Sequence, residues 1–200
     1  MRSIIPAKLL RMIREKINLA MRRIKSPRMI SGYMDSSGEW RPKTRISDTA
    51  FFYHQENIKI SNNVFVGHYT IIDGTGGLEI GEGTQLAAWA GIFTHSSHIA
   101  IRIYGKHYQD VPESEKQGYA IKNVIIGKYV FIGARALVLP GVSIGDGALV
   151  EAGSIVRKDV NAFDIVSGNP AEVVGDTRKM DKPYLEDPNI KSWYEEWQKT

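Results

Sequence analysis

The chain contains no cysteine among its 200 residues. Disulfide bonds, thiolate metal sites and a cysteine acyl-enzyme are therefore excluded. No apolar run approaches the ~20 residues that a helix needs to cross a bilayer. The N-terminus also lacks the uncharged apolar stretch of a signal peptide. From these absences we expect a cytoplasmic protein.

One segment has few acidic residues. Residues 1–30 contain nine Lys and Arg but only one acid, Glu15, and carry a net charge of +8, whereas the remaining residues carry −4. Binding to nucleic acid needs a basic face or groove. Because the body of the chain is mildly acidic, we expect no nucleic-acid partner.

From residue 126 onward, an aliphatic residue recurs at every sixth position. The series is Ile126, Ile132, Val138, Ile144, Val150 and Val156, with Ala162 as its continuation. The same spacing occurs earlier, at Ile60, Val66 and Ile72 and again at Ile80, Leu86 and Ile92. A period of six fits neither a helix nor simple strand alternation, and it is typical of a short strand and a turn, repeated.

Three such units would close one triangular coil, with the aliphatic residue pointing inward from each side. Coils stack at about 4.8 Å, and several must stack because a single coil cannot bury its apolar side. A β-sandwich is the alternative, but its strands are irregularly spaced. We predict an all-β solenoid, a parallel β-helix, with a core from about Ile58 to Val166 inside a domain of residues 46–174.

Residues 1–45 are predicted to be a basic helical extension and linker, with a helix over residues 6–25. This helix has an apolar stripe that includes Leu9, Ile13 and Ile17, and cations on its other side. Two interpretations remain open. The stripe caps the first coil, or the cations hold the helix on an anionic membrane, peripheral to the inner membrane face.

The hexad pattern disappears over residues 97–122, and we interpret this stretch as one loop that protrudes from the solenoid wall. Residues 175–200 are predicted to form a C-terminal tail with a helix near residues 188–199. At helical spacing, Trp193 and Trp197 are expected to pack against the body.

Three short motifs accompany the repeat. They are Phe93-Thr94-His95-Ser96, residues 141–147 with 153–159, and Gly168-Asn169-Pro170-Ala171. With these motifs the chain resembles, over about residues 57–174, the hexapeptide-repeat acyltransferases, and in particular their maltose/galactoside O-acetyltransferase-like branch, which includes many enzymes that acetylate bacterial surface sugars. The resemblance implies left-handed winding and a homotrimer with active sites in the grooves between subunits. It also implies acetyl-CoA as donor and the hydroxyl of a sugar or oligosaccharide as acceptor.

The resemblance assigns roles to single residues. His95 matches the general base, a role that suits histidine because a hydroxyl must lose its proton as it attacks a thioester. His98 is the reserve candidate. The matching cofactor-binding positions are Phe131, Ala134, Ala152, Arg157 and Lys158. The positions expected to bind the sugar are Asp73, His68 and Trp89.

The sequence lacks the arginines with which members of the family bind the CoA phosphate. Glu172 and Gly175 occupy the corresponding positions, and Arg178 or Lys179 is the candidate substitute. The leading interpretation is an acetyl-CoA-dependent O-acetyltransferase of bacterial surface polysaccharide biosynthesis, with no metal. Three alternatives remain open: N-acetylation of an amino sugar or drug, a carbonic-anhydrase-like zinc enzyme with His95, His98 and His68 as ligands, and a non-catalytic scaffold.

Overall fold

The computed structural model describes residues 12–19 and 26–199. Short strands stack in parallel and form three sheets, here called faces 1, 2 and 3. The strands of face 1 are, in spatial order, β1 (Met29–Met34), β2 (Trp40–Ser47), β5 (Phe65–Val66), β8 (Gln85–Leu86), β13 (Phe131–Ile132), β16 (Leu149–Val150), β18 (Asp164–Gly168) and β19 (Ala171–Asp176). Only the two end pairs of this face, β1 with β2 and β18 with β19, are antiparallel.

The other two faces contain only parallel neighbours. Face 2 consists of β3 (Phe51–Tyr53), β6 (Ile71–Asp73), β9 (Gly91–Ile92), β14 (Leu137–Val138) and β17 (Ile155–Val156). Face 3 consists of β4 (Ile58–Ile60), β7 (Leu78–Ile80), β12 (Val124–Ile126) and β15 (Ser143–Ile144). The chain therefore visits the three faces in turn, which is the solenoid that the six-residue period predicts.

The predicted inward positions form the core. Val66 lies opposite Leu86, Leu86 opposite Ile132, and Ile132 opposite Val150. All four side chains are fully buried, and their counterparts on the other two faces are at most 2% exposed. Burial of each such side chain contributes about 1.5–3 kcal/mol. The stacked aliphatic rows therefore fix the register of every coil.

Two details of the repeat differ from the sequence prediction. Parallel stacking begins before Ile58, because Ile46 of β2 already pairs with Val66. At the other end Ala162 is exposed, and Val160 instead pairs with Ile144. The carboxylate of Asp159 accepts a hydrogen bond from the Ser143 N–H at 2.8 Å. This contact shortens the last turn. As a result Val160 points inward, two residues before Ala162, the position that the six-residue period predicts.

The segment expected to be a loop leaves the wall between β10 (His95–Ser96) and β11 (Ala120–Ile121), which pair with each other in antiparallel orientation. It contains the short helix α2 (Ala100–Tyr104) and single 3₁₀ turns at Gly105–His107 and Glu113–Glu115. Its two ends are therefore held together at the wall.

Helices lie at both ends of the chain. Residues 12–19 form α1, in which Ile13 is 43% and Ile17 is 55% exposed. The predicted packing of these two side chains on the first coil is thus wrong for this chain, and Leu9 and the rest of the predicted stripe lie outside the described residues. The edge of face 1 is covered instead by β1.

At the C-terminal end, α3 (Thr177–Asp181) and α4 (Pro188–Trp197) follow β19. Trp197 packs on Tyr129 and Phe163, with ring centroids 4.7 and 5.8 Å away, as predicted. Trp193 is 65% exposed, so the prediction was wrong for this residue. No helix in the described part of the chain is long and apolar enough to cross a membrane.

Candidate active site

The candidate base, His95, lies where the solenoid wall opens into the loop. It begins β10 and pairs with Ile121 of β11. Phe93 and Thr94 before it continue the wall, since the Phe93 N–H donates to the Val138 carbonyl of the next coil at 2.9 Å. The His95 side chain is 36% exposed. A rigid strand pair therefore presents this imidazole at an accessible corner.

Asp73 stands directly behind the imidazole. It ends β6 on the preceding coil, and its Oδ2 lies 2.7 Å from the His95 Nδ1. The Asp73 side chain is only 1% exposed. A carboxylate buried this deeply cannot reach a sugar in solution, so the structure does not support the predicted contact with the acceptor. The carboxylate contacts the candidate base instead.

Four further hydrogen-bond contacts surround the Asp73 carboxylate. Thr75 donates to Oδ1 from its backbone N–H at 2.9 Å and from its hydroxyl at 2.5 Å. The Thr94 N–H donates to Oδ2 at 2.8 Å, and the Thr94 hydroxyl lies 3.0 Å from the same oxygen. The Thr94 hydroxyl in turn accepts the Gly76 N–H at 2.8 Å. The glycine-rich turn after Asp73 therefore serves to fold donors around this carboxylate.

These contacts set the charge of Asp73. Burial alone would raise the pKa of the carboxyl, but the hydrogen bonds from the Thr75 hydroxyl and N–H, the Thr94 N–H and His95 outweigh burial and hold that pKa well below its usual value. Asp73 is therefore ionised near neutral pH and can only accept hydrogen bonds.

An ionised Asp73 fixes the tautomer of neutral His95. Because the carboxylate can only accept, Nδ1 of the imidazole must carry the proton and donate it. The other ring nitrogen, Nε2, is then left unprotonated and able to accept a proton. Asp73 also stabilises the imidazolium that forms when Nε2 takes up that proton. This geometry is the one that general-base chemistry requires.

The imidazole lines a cavity of about 670 Å³. The other lining residues are Phe93, Ser96, His98, Ala120, Lys122, Leu139, Pro140 and Arg157. The ring of Tyr119, from the end of the loop, lies beside that of His95 with centroids 6.0 Å apart. The reserve candidate His98 is bonded through Nδ1 to the Ser96 hydroxyl at 2.8 Å. Within residues 12–19 and 26–199, no carboxylate forms a hydrogen bond with the His98 imidazole.

Most of the predicted site residues lie at two different corners of the solenoid. His95, Arg157 and Lys158 belong to corner 2/3, which joins faces 2 and 3 and includes residues 93–97, 139–142 and 157–159. Corner 1/2 joins faces 1 and 2 and includes residues 67–70, 87–90, 133–136 and 151–154. The positions predicted there are His68, Trp89, Ala134 and Ala152. A single chain therefore does not bring the two sets together.

Corner 1/2 presents an aromatic pair and exposed backbone. Trp89 is 56% exposed and stacks on Tyr69 with centroids 4.6 Å apart. His68 is bonded through Nδ1 to the Ser47 hydroxyl at 2.6 Å. Ala134 and Ala152 are both exposed, and the Gly153 N–H donates to the Ala134 carbonyl at 2.8 Å, which aligns the two alanines on successive coils. Exposed Arg135 and Glu151 lie on the same corner, so it combines aromatic rings and bare backbone with one charge of each sign.

The predicted cofactor residues differ in their surroundings. Arg157 and Lys158 are exposed, and Lys158 Nζ lies 4.0 Å from a carboxylate oxygen of Glu172. Phe131 lies on face 1 and lines a separate cavity of about 490 Å³ beneath α4, together with Trp197. Arg178, one of the two candidate substitutes for the family arginines, is bonded to Asp176 at 2.6 Å. That ion pair disfavours Arg178 as a phosphate ligand.

The ligand set of the zinc hypothesis does not assemble within one chain. His68 lies at corner 1/2, whereas His95 and His98 lie at corner 2/3. No group of three or more His, Asp and Glu with a geometry suited to a metal ion occurs within residues 12–19 and 26–199.

Sequence reasoning missed Thr75, Thr94, Tyr119 and Lys122. Thr75 could have been found, because Asp-x-Thr after a strand is a common turn in which the carboxylate accepts the local N–H. Thr94 adjoins the histidine but looks like an ordinary corner residue. Tyr119 and Lys122 reach the site only through the return path of the loop, which no repeat position specifies.

Comparison with known proteins identifies the family of this chain. The pattern described as "Hexapeptide repeat of succinyl-transferase" matches residues 123–158. The dTDP-4-amino-4,6-dideoxy-D-glucose acyltransferase of Escherichia coli is 32% identical over 153 residues, which cover 68% of this chain and 80% of that protein. The chain belongs to the hexapeptide-repeat acyltransferases. It is therefore an acyltransferase, as the motifs predicted.

Two further proteins are similar over most of the chain. The galactoside O-acetyltransferase of Escherichia coli is 29% identical over 142 residues, which cover 70% of this chain and 64% of that protein. A mutant N-acyltransferase from Bacillus cereus, solved with dTDP and coenzyme A, matches 74% of this chain and 88% of its own with a TM-score of 0.56 and 24% identity. The similarity to this structure shows a shared fold and no more.

Proposed function

We propose that the protein is an acetyl-CoA-dependent O-acetyltransferase that acetylates a sugar hydroxyl, in the assembly of a bacterial surface polysaccharide. The observation that carries the proposal is the hydrogen bond between the buried, ionised Asp73 and Nδ1 of the accessible His95. A hydroxyl is a very weak acid, so its attack on a thioester depends on a base of this kind.

The reaction follows from the free Nε2 of His95. This nitrogen removes the proton of the acceptor hydroxyl while the acceptor oxygen bonds to the thioester carbonyl carbon. Collapse of the tetrahedral intermediate breaks the C–S bond, and the imidazolium returns the proton to the leaving sulfur. The products are an acetyl ester and the free thiol of CoA. A backbone N–H of the wall is suited to stabilise the oxyanion, and direct transfer needs no nucleophile on the enzyme.

The donor is expected to lie along the solenoid wall. Exposed backbone at Ala134 and Ala152 suits the pantetheine arm, while Arg157 and Lys158 supply cations for the CoA phosphates. Phe131 lies on face 1, next to corner 1/2, and is proposed to flank the same arm. An anion at Lys158 would compete with Glu172, whose carboxylate lies 4.0 Å away.

We further propose a homotrimer of left-handed coils with sites in the grooves between subunits. The support is the division of the predicted residues between two corners, because a neighbouring copy would bring its corner 1/2 against corner 2/3 of the first. Trp89 and His68 of that copy would then meet the acceptor. Sedimentation at micromolar concentration should give a trimer, and a fully active monomer would contradict the shared site.

The subcellular location is part of the same proposal. A polysaccharide precursor is acetylated in the cytoplasm or at the inner face of the membrane. The +8 charge of residues 1–30 supports contact with anionic lipid through residues 6–25. In the described part of this helix, Ile13 and Ile17 remain exposed and available for such a contact.

N-acylation of a sugar amine is the second candidate. It is favoured by the relative at 32% identity, whose name specifies an amino sugar. Pairs of acceptors that differ only in an amino or hydroxyl group distinguish the two reactions. The protein is incubated with acetyl-CoA and each member of a pair, and the acetylated position is assigned by NMR. Ester products support the proposal, amide products alone support the second candidate, and no product with any acceptor contradicts both.

A further inference from the structure

Lys122 is a cation beside the candidate base that the proposed reaction does not use. Its N–H donates to the Thr94 carbonyl at 2.9 Å, and the preceding residue, Ile121, pairs with His95. Alternation along this segment turns Ala120 and Lys122 toward the cavity that contains the imidazole, whereas Ile121 and Asn123 line another cavity on the opposite side.

The alkyl part of the Lys122 side chain packs against the backbone of a glycine on the next coil. A Cβ atom added at Gly141 would lie 2.9 Å from Cδ of Lys122, so the alkyl chain lies against bare backbone of the next coil. Gly141 also has a φ of +87°, which favours glycine. The stem is thus directed along the wall, and the ammonium group is left at the cavity.

The charge of this cavity is unbalanced. Lys122, Arg157 and two histidines line it, and none of the residues that line it within the described chain is Asp or Glu. In the same part of the chain, Lys122 forms no ion pair within 4.0 Å, unlike Lys158 or Arg178. A cation with a packed stem and no acidic partner beside a reaction centre is a site for an anion.

The donor does not supply that anion. The thioester of acetyl-CoA must reach His95, and the pantetheine arm separates it from the CoA phosphates. Arg157 lies two coils along the wall from Phe93, at about 4.8 Å per coil, and it is better placed for those phosphates. Lys122, beside Thr94, is at the reacting end.

We infer that the acceptor is an acidic sugar, whose carboxylate or phosphate oxygens bind Lys122 while its hydroxyl faces Nε2 of His95. This inference rests on the proposed function and specifies its acceptor class. It explains why a lysine without an acidic partner lines the cavity of the base, where a neutral sugar would need only hydrogen-bonding groups.

Binding tests the inference without turnover. Galactose, galacturonate and galactose 1-phosphate are titrated separately into the full-length protein by calorimetry, in low salt, with and without saturating CoA. We expect one or both anionic probes to bind at least about tenfold more tightly than galactose, as a charge-assisted hydrogen bond predicts. The two anionic arms separate carboxylate from phosphate recognition.

Two variants test whether Lys122 is the residue that binds the anionic group of the sugar. Lys122→Met should remove most of the advantage of the anionic probes, whereas Lys43→Met, at an exposed lysine outside the cavity, should leave it unchanged. Equal affinity for all three probes, or an advantage that persists in Lys122→Met, overturns the inference. So does competition by CoA, which would assign Lys122 to the donor.

Kinetics separates this inference from the proposed function. With an active acceptor, Lys122→Met should raise KM for the anionic sugar by about tenfold or more and leave KM for acetyl-CoA unchanged. If neutral and acidic sugars are acetylated equally well by wild type, the acidic-acceptor inference fails while the proposed acetyl transfer stands. An equal fall in kcat with neutral and acidic acceptors would instead make Lys122 an oxyanion ligand and overturn the inference.

Discussion

Replacement of Asp73 by Asn preserves shape and removes only charge and hydrogen-bonding capacity. The carboxylate accepts from Thr75 on one oxygen and from Thr94 and His95 on the other. An amide has one acceptor oxygen, so its NH₂ group must face donors on one side. If NH₂ faces His95, the ring is forced into the opposite tautomer, with the proton on Nε2. If NH₂ faces Thr75, the part-buried Thr75 N–H loses its partner. In the first orientation the buried Thr94 N–H loses its partner as well.

Both orientations have a cost that can be measured. The wrong tautomer removes the base, and loss of the carboxylate charge removes stabilisation of the imidazolium, so kcat should fall by about 10²–10⁴-fold. KM for acetyl-CoA should change little, because Asp73 is buried behind the imidazole. An unsatisfied buried N–H destabilises a fold by about 1–3 kcal/mol, which urea unfolding should detect.

The pH dependence of stability provides a second readout. Because the folded state depresses the pKa of Asp73 below its unfolded value, the carboxylate stabilises the fold above that unfolded value. This contribution is lost as pH falls from about 4 through the folded pKa. The stability difference between wild type and Asp73→Asn should therefore be largest near neutral pH and shrink below about pH 4. A variant with wild-type kcat and a stability difference that does not change with pH would refute the claim that ionised Asp73 supports His95 as a base.

Three other changes test separate parts of the structure. Thr94→Val should lower the free energy of unfolding by about 1–3 kcal/mol and should also lower kcat, because the Gly76 N–H loses its acceptor. If neither urea unfolding nor a steady-state assay shows a change, the hydrogen-bond network is contradicted. Ile132→Ala should destabilise the fold by about 2–5 kcal/mol in urea unfolding, and a loss below about 1 kcal/mol would mean that the stacked rows do not carry the core. Lys158→Ala should raise KM for acetyl-CoA more than for a dephospho-CoA thioester if it binds the 3′-phosphate, and equal changes would remove that role.

The sequence predicted the solenoid because its signal is local and repeated. A fixed spacing of aliphatic residues determines which side chains face inward, and Val66, Leu86 and Ile132 lie where that spacing places them. The prediction was wrong at Ala162, where one side-chain contact changes the length of a turn. Periodicity describes an average coil and is insensitive to such an exception.

The site was harder to predict. His95 could be selected from its motif, but the partner of its Nδ1 depends on contact between successive coils. Asp73 and His95 are 22 residues apart in the chain, and the stacking of β6 on β9 brings them together. Lys122 returns to the site across the whole loop. Pairing of β10 with β11 determines its position, and two-residue strands leave little trace in a sequence.

The most direct test of the central claim is a stoichiometric assay of wild type and His95→Ala with acetyl-CoA and the best acceptor from the paired panel. Free CoA is measured with a thiol reagent and the acetylated sugar by mass spectrometry. The account predicts one acetyl ester for each CoA released by wild type, and a fall of about 10²–10⁴-fold in both for His95→Ala, in a variant that still unfolds cooperatively. Wild-type turnover in His95→Ala, or release of CoA without an acetylated sugar, would contradict it.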